Sequence, residues 1–273
     1  MTEKEFRQKE RNAAERKNAA KRKKKKRRTA IVILVVLLAL LIAAGVSVAA
    51  FTLFKVETIS VTGNTVYPSE QILSIADINV GDSLLLLNDK KLSEKLSHSL
   101  PYIDSIDIKR ELPNTLHIEV AETYEDVCYY NGNKFYSADK NDKILNEYFA
   151  VPENLSVIIT EEKAEFTVGG TFTGEETAAM VNKAILSFAE KENISITVIN
   201  STDKYDNYFI INDRFLVLLG SSTNLDRKLE FVPKTVEKLE GDSRNVIDLS
   251  NWSHDNNEAI SYEKDINTYY VFK

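Results

Sequence analysis

The chain has a single cysteine, Cys128, in 273 residues. No internal disulfide can form, and metal sites built on paired cysteines are excluded. A domain of this size must therefore rest on its apolar core. Histidine is nearly as scarce: His98, His117 and His254 lie far apart and none stands in an HExxH spacing. No GxSxG elbow and no P-loop occurs. Cys128 is the one candidate nucleophile, but its setting in VCYY is that of a strand position, so it reads as a small buried hydrophobe. Asp139-Lys140-Asn141-Asp142 has oxygen ligands at calcium-like intervals. The interior Gly and terminal Glu of an EF-hand loop are missing, and the segment reads as a turn. These absences point away from an enzyme, a metal and a cofactor.

Charge is missing over one long stretch. From Thr29 to Phe54 there are 26 residues without a charged side chain, enough for a helix of ~39 Å at ~1.5 Å per residue. A hydrocarbon core of ~30 Å is within its reach. Ser47-Val48-Ala49 would suit a signal peptidase, but the stretch far exceeds the usual ~7–15 residues of a signal peptide. Directly before it stand eight consecutive cations, Lys21, Arg22, Lys23, Lys24, Lys25, Lys26, Arg27 and Arg28. Residues 1–28 carry a net +10 and the remainder a net −16. Cations on the short side of a span mark the cytoplasmic side. Near anionic headgroups each contributes roughly 1 kcal/mol of attraction. The run is thus expected to orient the span and hold anionic lipid headgroups rather than nucleic acid. The chain divides into a basic cytoplasmic tail, 1–28, a transmembrane helix, 29–53, and an exported part, which makes it a single-pass type II membrane protein.

The exported part opens with FKVETISVTGN, a strand closing on the turn pair Gly63-Asn64. Pro68 suits a first helical position, and SEQILSIA follows as a short helix. Asn88 or Asp89 caps a second helix, whose Leu92, Leu96 and Leu100 recur every four residues until Pro101. IDSIDIKRE and TLHIEVAE alternate as two strands around Leu112-Pro113-Asn114. Further on, VCYYNGNKFYS predicts a hairpin at Asn131-Gly132, SVIITE a buried strand, Glu175 to Lys191 a helix, and Ile194, Ile196 and Val198 a strand. YFIINDRFLVLLG turns at Asn212-Asp213. Leu225, Leu229, Val232, Val236 and Leu239 trace a helical stripe, which Pro233 should kink or restart. NVIDLS and AISYEK are the last strands, and the tail DINTYYVFK is left open among packing, fraying and meeting a partner. The fold class is α+β.

Three passages together resemble the bacterial cell-division family called FtsQ in one branch and DivIB in another. They are the basic tail with its single span, the segment FKVETISVTGNTVYPSEQIL with its strand–helix–helix–strand–strand order, and LGSSTNLDRKLEFVPKTVEKLEG followed by VIDLS. The resemblance implies a POTRA-like β-α-α-β-β domain at 54–122, a β domain with packed helices at 123–262 and a C-terminal tail at 263–273. It implies a non-enzymatic divisome scaffold at the septum. The expected partners are bitopic coiled-coil proteins, FtsL-like and DivIC/FtsB-like, with no small-molecule substrate.

A last strand with unpaired N–H and C=O groups would receive an extended segment by strand addition. On the resemblance, the partner site lies at Ile247, Leu249, Ala259, Ile260, Ser261 and Tyr262, although these residues could equally fill the domain's own core. The POTRA-like sheet edge near Val56, Ile59 and Val61 is a second expected contact, by fold analogy. Trp252 reads as a core residue, with an interface anchor as the other possibility. The rival class is a membrane-anchored sensor or enzyme that binds a cell-wall fragment.

Overall fold

The computed structural model describes residues 28, 29, 31–49, 51–162, 164–239, 241, 243–252 and 259–272. It is a mixed α+β chain with one N-terminal apolar helix, α1, at Ile31–Leu53, of mean hydropathy 3.2 and with no part of its apolar window buried. The described residues form two compact units. The first holds those up to Ser60, with Asn79–Leu87 and Lys109–His117; the second holds the rest.

In the first unit the chain leaves α1 and at once pairs with a later segment. Leu84 N–H donates to the Phe54 carbonyl at 2.9 Å, Val56 N–H to Asp82 at 2.8 Å, and Gly81 N–H to Val56 at 2.8 Å. Arg110 fixes that segment from another direction: its Nε donates to the Leu84 carbonyl at 2.8 Å and its Nη2 to that of Leu87 at 2.9 Å. Val56, Leu84 and Leu116 are buried.

A small sheet of β1, Thr58–Thr62, β2, Ile103–Glu111, and β3, Thr115–Glu122, runs in the order β1-β3-β2. In β3, Leu116, Ile118 and Val120 are buried while His117 and Glu119 are not, as the alternation in TLHIEVAE dictates. Helices α2, Ser69–Ala76, and α3, Asp89–Ser99, pack on each other in the second unit. Asn88 caps α3, its side chain accepting from Lys91 N–H at 3.1 Å. Pro68 is the residue before α2 rather than its first, and Asp77 in the left-handed region ends that helix.

The rest of the second unit is built on a nine-stranded sheet. Its strands are β4, Val127–Tyr130, β5, Phe135–Ala138, β6, Ile144–Tyr148, β7, Ser156–Ile159, and β8, Ile196–Asn200. They continue as β9, Asn207–Ile211, β10, Phe215–Gly220, β11, Asn245–Asp248, and β12, Ile260–Glu263. The order is β12-β11-β10-β9-β8-β7-β4-β5-β6, with parallel pairing at β4–β7, β7–β8 and β10–β11. The β9–β10 hairpin turns through Asn212, Asp213 and Arg214, with Asn212 and Asp213 at positive φ and Arg214 N–H donating to the Ile211 carbonyl at 2.9 Å.

Helices α4, Glu176–Glu192, and α5, Leu225–Val236, cover one face, where Val181, Ile185, Leu229 and Val232 meet Phe209, Val217 and Ile247. The opposite face is covered at β8–β11 by the chain's own tail, where Ile266 and Tyr270 are buried with Val198, Tyr208, Ile210, Leu216 and Val246. That settles the tail in favour of packing.

Beyond the placing of Pro68, the sequence expectations depart from the structure at β6, β8 and α5. β6 is not predicted, because ILNEY places two apolar residues before Asn146 and Glu147 and so lacks the alternation of a half-buried strand. β8 begins at Ile196, not Ile194, and its register shifts between Ile196 and Val198; both Val198 and Ile199 are buried because this part of the sheet has two covered faces. α5 runs through Pro233 and stops three residues later, so the missing N–H falls in the last turn.

Candidate functional site

An open strand edge is the feature of the nine-stranded sheet that invites a partner, and its two ends differ. At the β6 end the outer side is partly occupied: Gly169 N–H donates to the Ile144 carbonyl and Ile144 N–H to that of Gly170, each at 2.8 Å. At the other end β12 pairs antiparallel with β11, in the register Asp248↔Ile260, Ile247↔Ser261, Val246↔Tyr262 and Asn245↔Glu263. Among the described residues no strand lies on its other side.

The register decides which side chains are presented. Val246 belongs to the tail-side core and Ile247 to the helix-side core. Tyr262, opposite Val246, and Ile260, two residues away, therefore share the tail-side face, while Ser261 lies on the helix side. All four residues of β12 are exposed, Ile260 at 61% and Tyr262 at 41%. An edge strand with two outward apolar side chains on one face and unpaired backbone groups has the chemistry of strand addition.

Of the expected contacts, Ile260, Ser261 and Tyr262 are thus brought together at the edge, and Ala259 is partly buried beside the helix-side core. Ile247 and Leu249 are turned inward, essentially without exposure. β11 is covered on both faces, so their side chains fill the core and leave no surface for a partner. In the small sheet β1 is an edge strand with Ile59 and Val61 half-buried, whereas Val56 precedes the strand and is fully buried. Arg28 is exposed; Lys21, Arg22, Lys23, Lys24, Lys25, Lys26 and Arg27 lie outside the described residues.

Trp252 packs its ring 5.7 Å from that of Phe231 on α5, so it belongs to the helix-side core. Residues the sequence did not single out support the edge from behind. Arg244, just before β11, donates to the Asn267 side chain at 2.5 Å. Tyr270 donates to Asp213. The signal for the tail is its aromatic and apolar content, Ile266, Tyr269, Tyr270, Val271 and Phe272 in nine residues, too short a stretch to show a period.

Of the residues weighed for chemistry, Cys128 and Asp139 take structural positions, His98 is exposed, His117 Nε2 lies 3.0 Å from the Glu111 carboxylate, and His254 lies outside the described residues. Cys128 is buried in β4, and burial pushes its thiol up to about 12. Asp139 closes the turn expected of it, its Oδ1 accepting from the N–H of Asn141 at 2.8 Å and of Lys143 at 3.0 Å. Among the described residues no group of three acidic, histidine or cysteine side chains is placed to hold a metal. A cleft of about 1740 Å³ opens beside α4, with Asp126, Asp142, Glu165, Glu175, Lys183 and Lys204 among its lining.

Comparison with known proteins matches residues 54–123 to the POTRA domain, FtsQ-type. The chain is 27% identical to the cell division protein DivIB of Bacillus subtilis over 201 residues, 71% of each chain. It is 25% identical to DivIB of Clostridium botulinum, over 77% of this chain and 83% of the relative. To the cell division protein FtsQ of Corynebacterium glutamicum it is 26% identical, over 74% and 87%. The chain thus carries an FtsQ-type POTRA domain and is a relative of the DivIB and FtsQ cell division proteins.

Proposed function

We propose that this chain is a membrane-anchored cell division protein whose β12 edge docks an extended segment of another single-span division protein. α1 is the anchor, with the basic N-terminal side in the cytoplasm and the POTRA and nine-stranded parts outside, concentrated at the septum. The partner, an FtsL-like or DivIC/FtsB-like coiled-coil protein, adds a strand to β12. Its main-chain groups pair with those of β12, and its side chains pack on Ile260 and Tyr262. The function is assembly of the septal cell-wall synthesis complex and needs no catalytic residue.

The observation that carries this reading is the open edge of β12 with Ile260 and Tyr262 exposed on one face. Replacing both with glutamate tests it. Co-purification of the bitopic partner should be abolished with the thermal transition nearly unchanged, because neither side chain is in the core. Retained co-purification would sink the placement. The cleft beside α4 is large enough to admit a second reading, recognition of a cell-wall fragment; a saturable calorimetric signal with such fragments, unaffected by the β12 substitutions, would support it.

A further inference from the structure

In the first unit, four large apolar side chains are exposed close to the end of α1: Val80, Leu85 and Leu86 on the segment Asn79–Leu87, and Leu112 on the β2–β3 turn. Leu85 is 50% exposed and Leu86 70%. They follow Leu84 in a turn closed by Leu86 N–H to the Ser83 carbonyl at 3.1 Å. Turns favour Gly, Asn, Asp, Pro and Ser, residues that sit comfortably in water. Two exposed leucines at such a place need another solvent.

The position of this turn relative to α1 is fixed by bonds. Leu84 N–H donates to the carbonyl of Phe54, the first residue after α1, and Lys55 bridges Ser83. Arg110 holds the carbonyls on both sides of the leucine pair, those of Leu84 and Leu87. A helix of the length of α1 reaches ~35 Å at ~1.5 Å per residue, against ~30 Å of hydrocarbon and a headgroup layer of ~5–8 Å on each side. Phe54 therefore lies at the lower edge of the headgroup layer when α1 spans. The Cα of Leu86 can be no more than ~7.6 Å from that of Leu84, two steps of ~3.8 Å. The leucine pair is thus tied to the depth at which the bilayer changes from apolar to polar.

We infer that Leu85 and Leu86 insert into the outer interface of the bilayer that α1 spans, as a second attachment that fixes how the first unit stands on the membrane. This rests on the membrane-anchor reading of α1. A single span leaves the segment after it free to swivel; a second apolar contact, joined to the span by Arg110 and the 54–56 pairing, removes that freedom. The occupant is lipid, since the turn is bonded to the end of a span and cannot leave the interface while the span is inserted.

The full chain, reconstituted in phosphatidylcholine–phosphatidylglycerol vesicles, tests this by fluorescence. Leu86→Cys or Leu85→Cys carries an environment-sensitive probe, Cys128 being buried, and Ile42→Cys reports on α1. Nitroxides at a shallow or deep acyl position, and aqueous iodide, serve as quenchers. The probe at residue 86 or 85 should lose emission chiefly to the shallow nitroxide and be shielded from iodide, with that at residue 42 losing emission chiefly to the deep one. If the probe on α1 behaves so but those on the turn are quenched by iodide and by neither nitroxide, the inference is overturned and the anchor stands. If the probe at residue 42 is reached by neither nitroxide, the anchor reading and the inference fall together.

Discussion

The Tyr102 hydroxyl donates to the Glu125 carboxylate at 2.6 Å, joining the approach to β2 with the strand-free segment after β3. Ser137 and Tyr148 donate to the same oxygen, each at 2.7 Å. Burial alone would raise the Glu125 carboxyl, but the three hydroxyls outweigh it and hold it below its ordinary 4.5. Removing an acceptor shared by three partly buried donors strands all of them. Glu125→Ala should therefore lower stability by roughly 2–4 kcal/mol and Tyr102→Phe by about 1 kcal/mol, on the usual cost of unmade hydrogen bonds. Denaturant unfolding of both variants checks the order.

The same bonds set a pH dependence. Glu122 accepts from the N–H groups of Thr65 at 2.8 Å and Val66 at 2.9 Å and from the Thr65 hydroxyl at 2.5 Å. Burial pushes its carboxyl up, and these donors, with Tyr67 N–H, more than reverse that. For both glutamates the folded pKa lies below the unfolded one. Their stabilisation is complete above about 4.5 and is lost as pH falls through the lowered folded values. A Glu122→Gln, Glu125→Gln double variant should show a flatter fall of stability below that pH than the parent, in melts taken across the acid range.

Gly63 ends β1 at φ +82°, and a Cβ there would stand 2.1 Å from the Val120 carbonyl oxygen on β3. Alanine must both take a left-handed backbone, at ~1–2 kcal/mol, and push β3 aside. Gly63→Ala is expected to lose more than the backbone cost alone. Gly81→Ala, also at positive φ but with open space around it, should lose only that cost. Equal losses in the two would remove the close approach as the cause.

Legibility in the sequence followed the range of the cause. The Leu92, Leu96 and Leu100 stripe, the alternation in TLHIEVAE and the Asn-Gly and Asn-Asp turns are local patterns, and each element formed where they placed it. Ile247 and Leu249 enter the expected partner site on the family resemblance alone, with the domain's own core as the other place for them; no pattern within NVIDLS decides between the two. Only the parallel β10–β11 pairing, made across the whole length of α5, shows that β11 is covered on both faces. The carboxylate hubs at Glu122 and Glu125 were invisible for the same reason: Thr65 and Glu122 are 57 positions apart. The open edge was legible as a last strand, but not the face that carries Ile260 and Tyr262.

Lys228 on α5 is buried, and its ammonium donates to the carbonyls of Leu219 at 2.6 Å and Ser221 at 2.9 Å. Burial lowers its pKa, so the cation is held at a cost that the two carbonyls offset. Lys228→Met keeps the apolar stem and removes the donors, and should destabilise by roughly 1–3 kcal/mol. Lys228→Arg has the charge but a larger planar head for a site already closed at two bonds, and should not restore the parent's midpoint in urea.

The tail distinguishes a structural element from a docking element. Ile266 and Tyr270 are buried against Tyr208, Leu216 and Val246, behind the strands that carry the edge. Removing residues 265–273 uncovers that face. The lost burial of two large side chains, at ~1.5–3 kcal/mol each, sums to roughly 3–6 kcal/mol. Such a truncation should lower the thermal midpoint sharply and bring a dye that binds exposed apolar surface onto the protein before the main transition. Ile260→Glu with Tyr262→Glu should do neither, since those side chains are exposed. A truncated chain that melts like the parent yet fails to hold its partner would reverse the assignment, making the tail the contact and β12 its support.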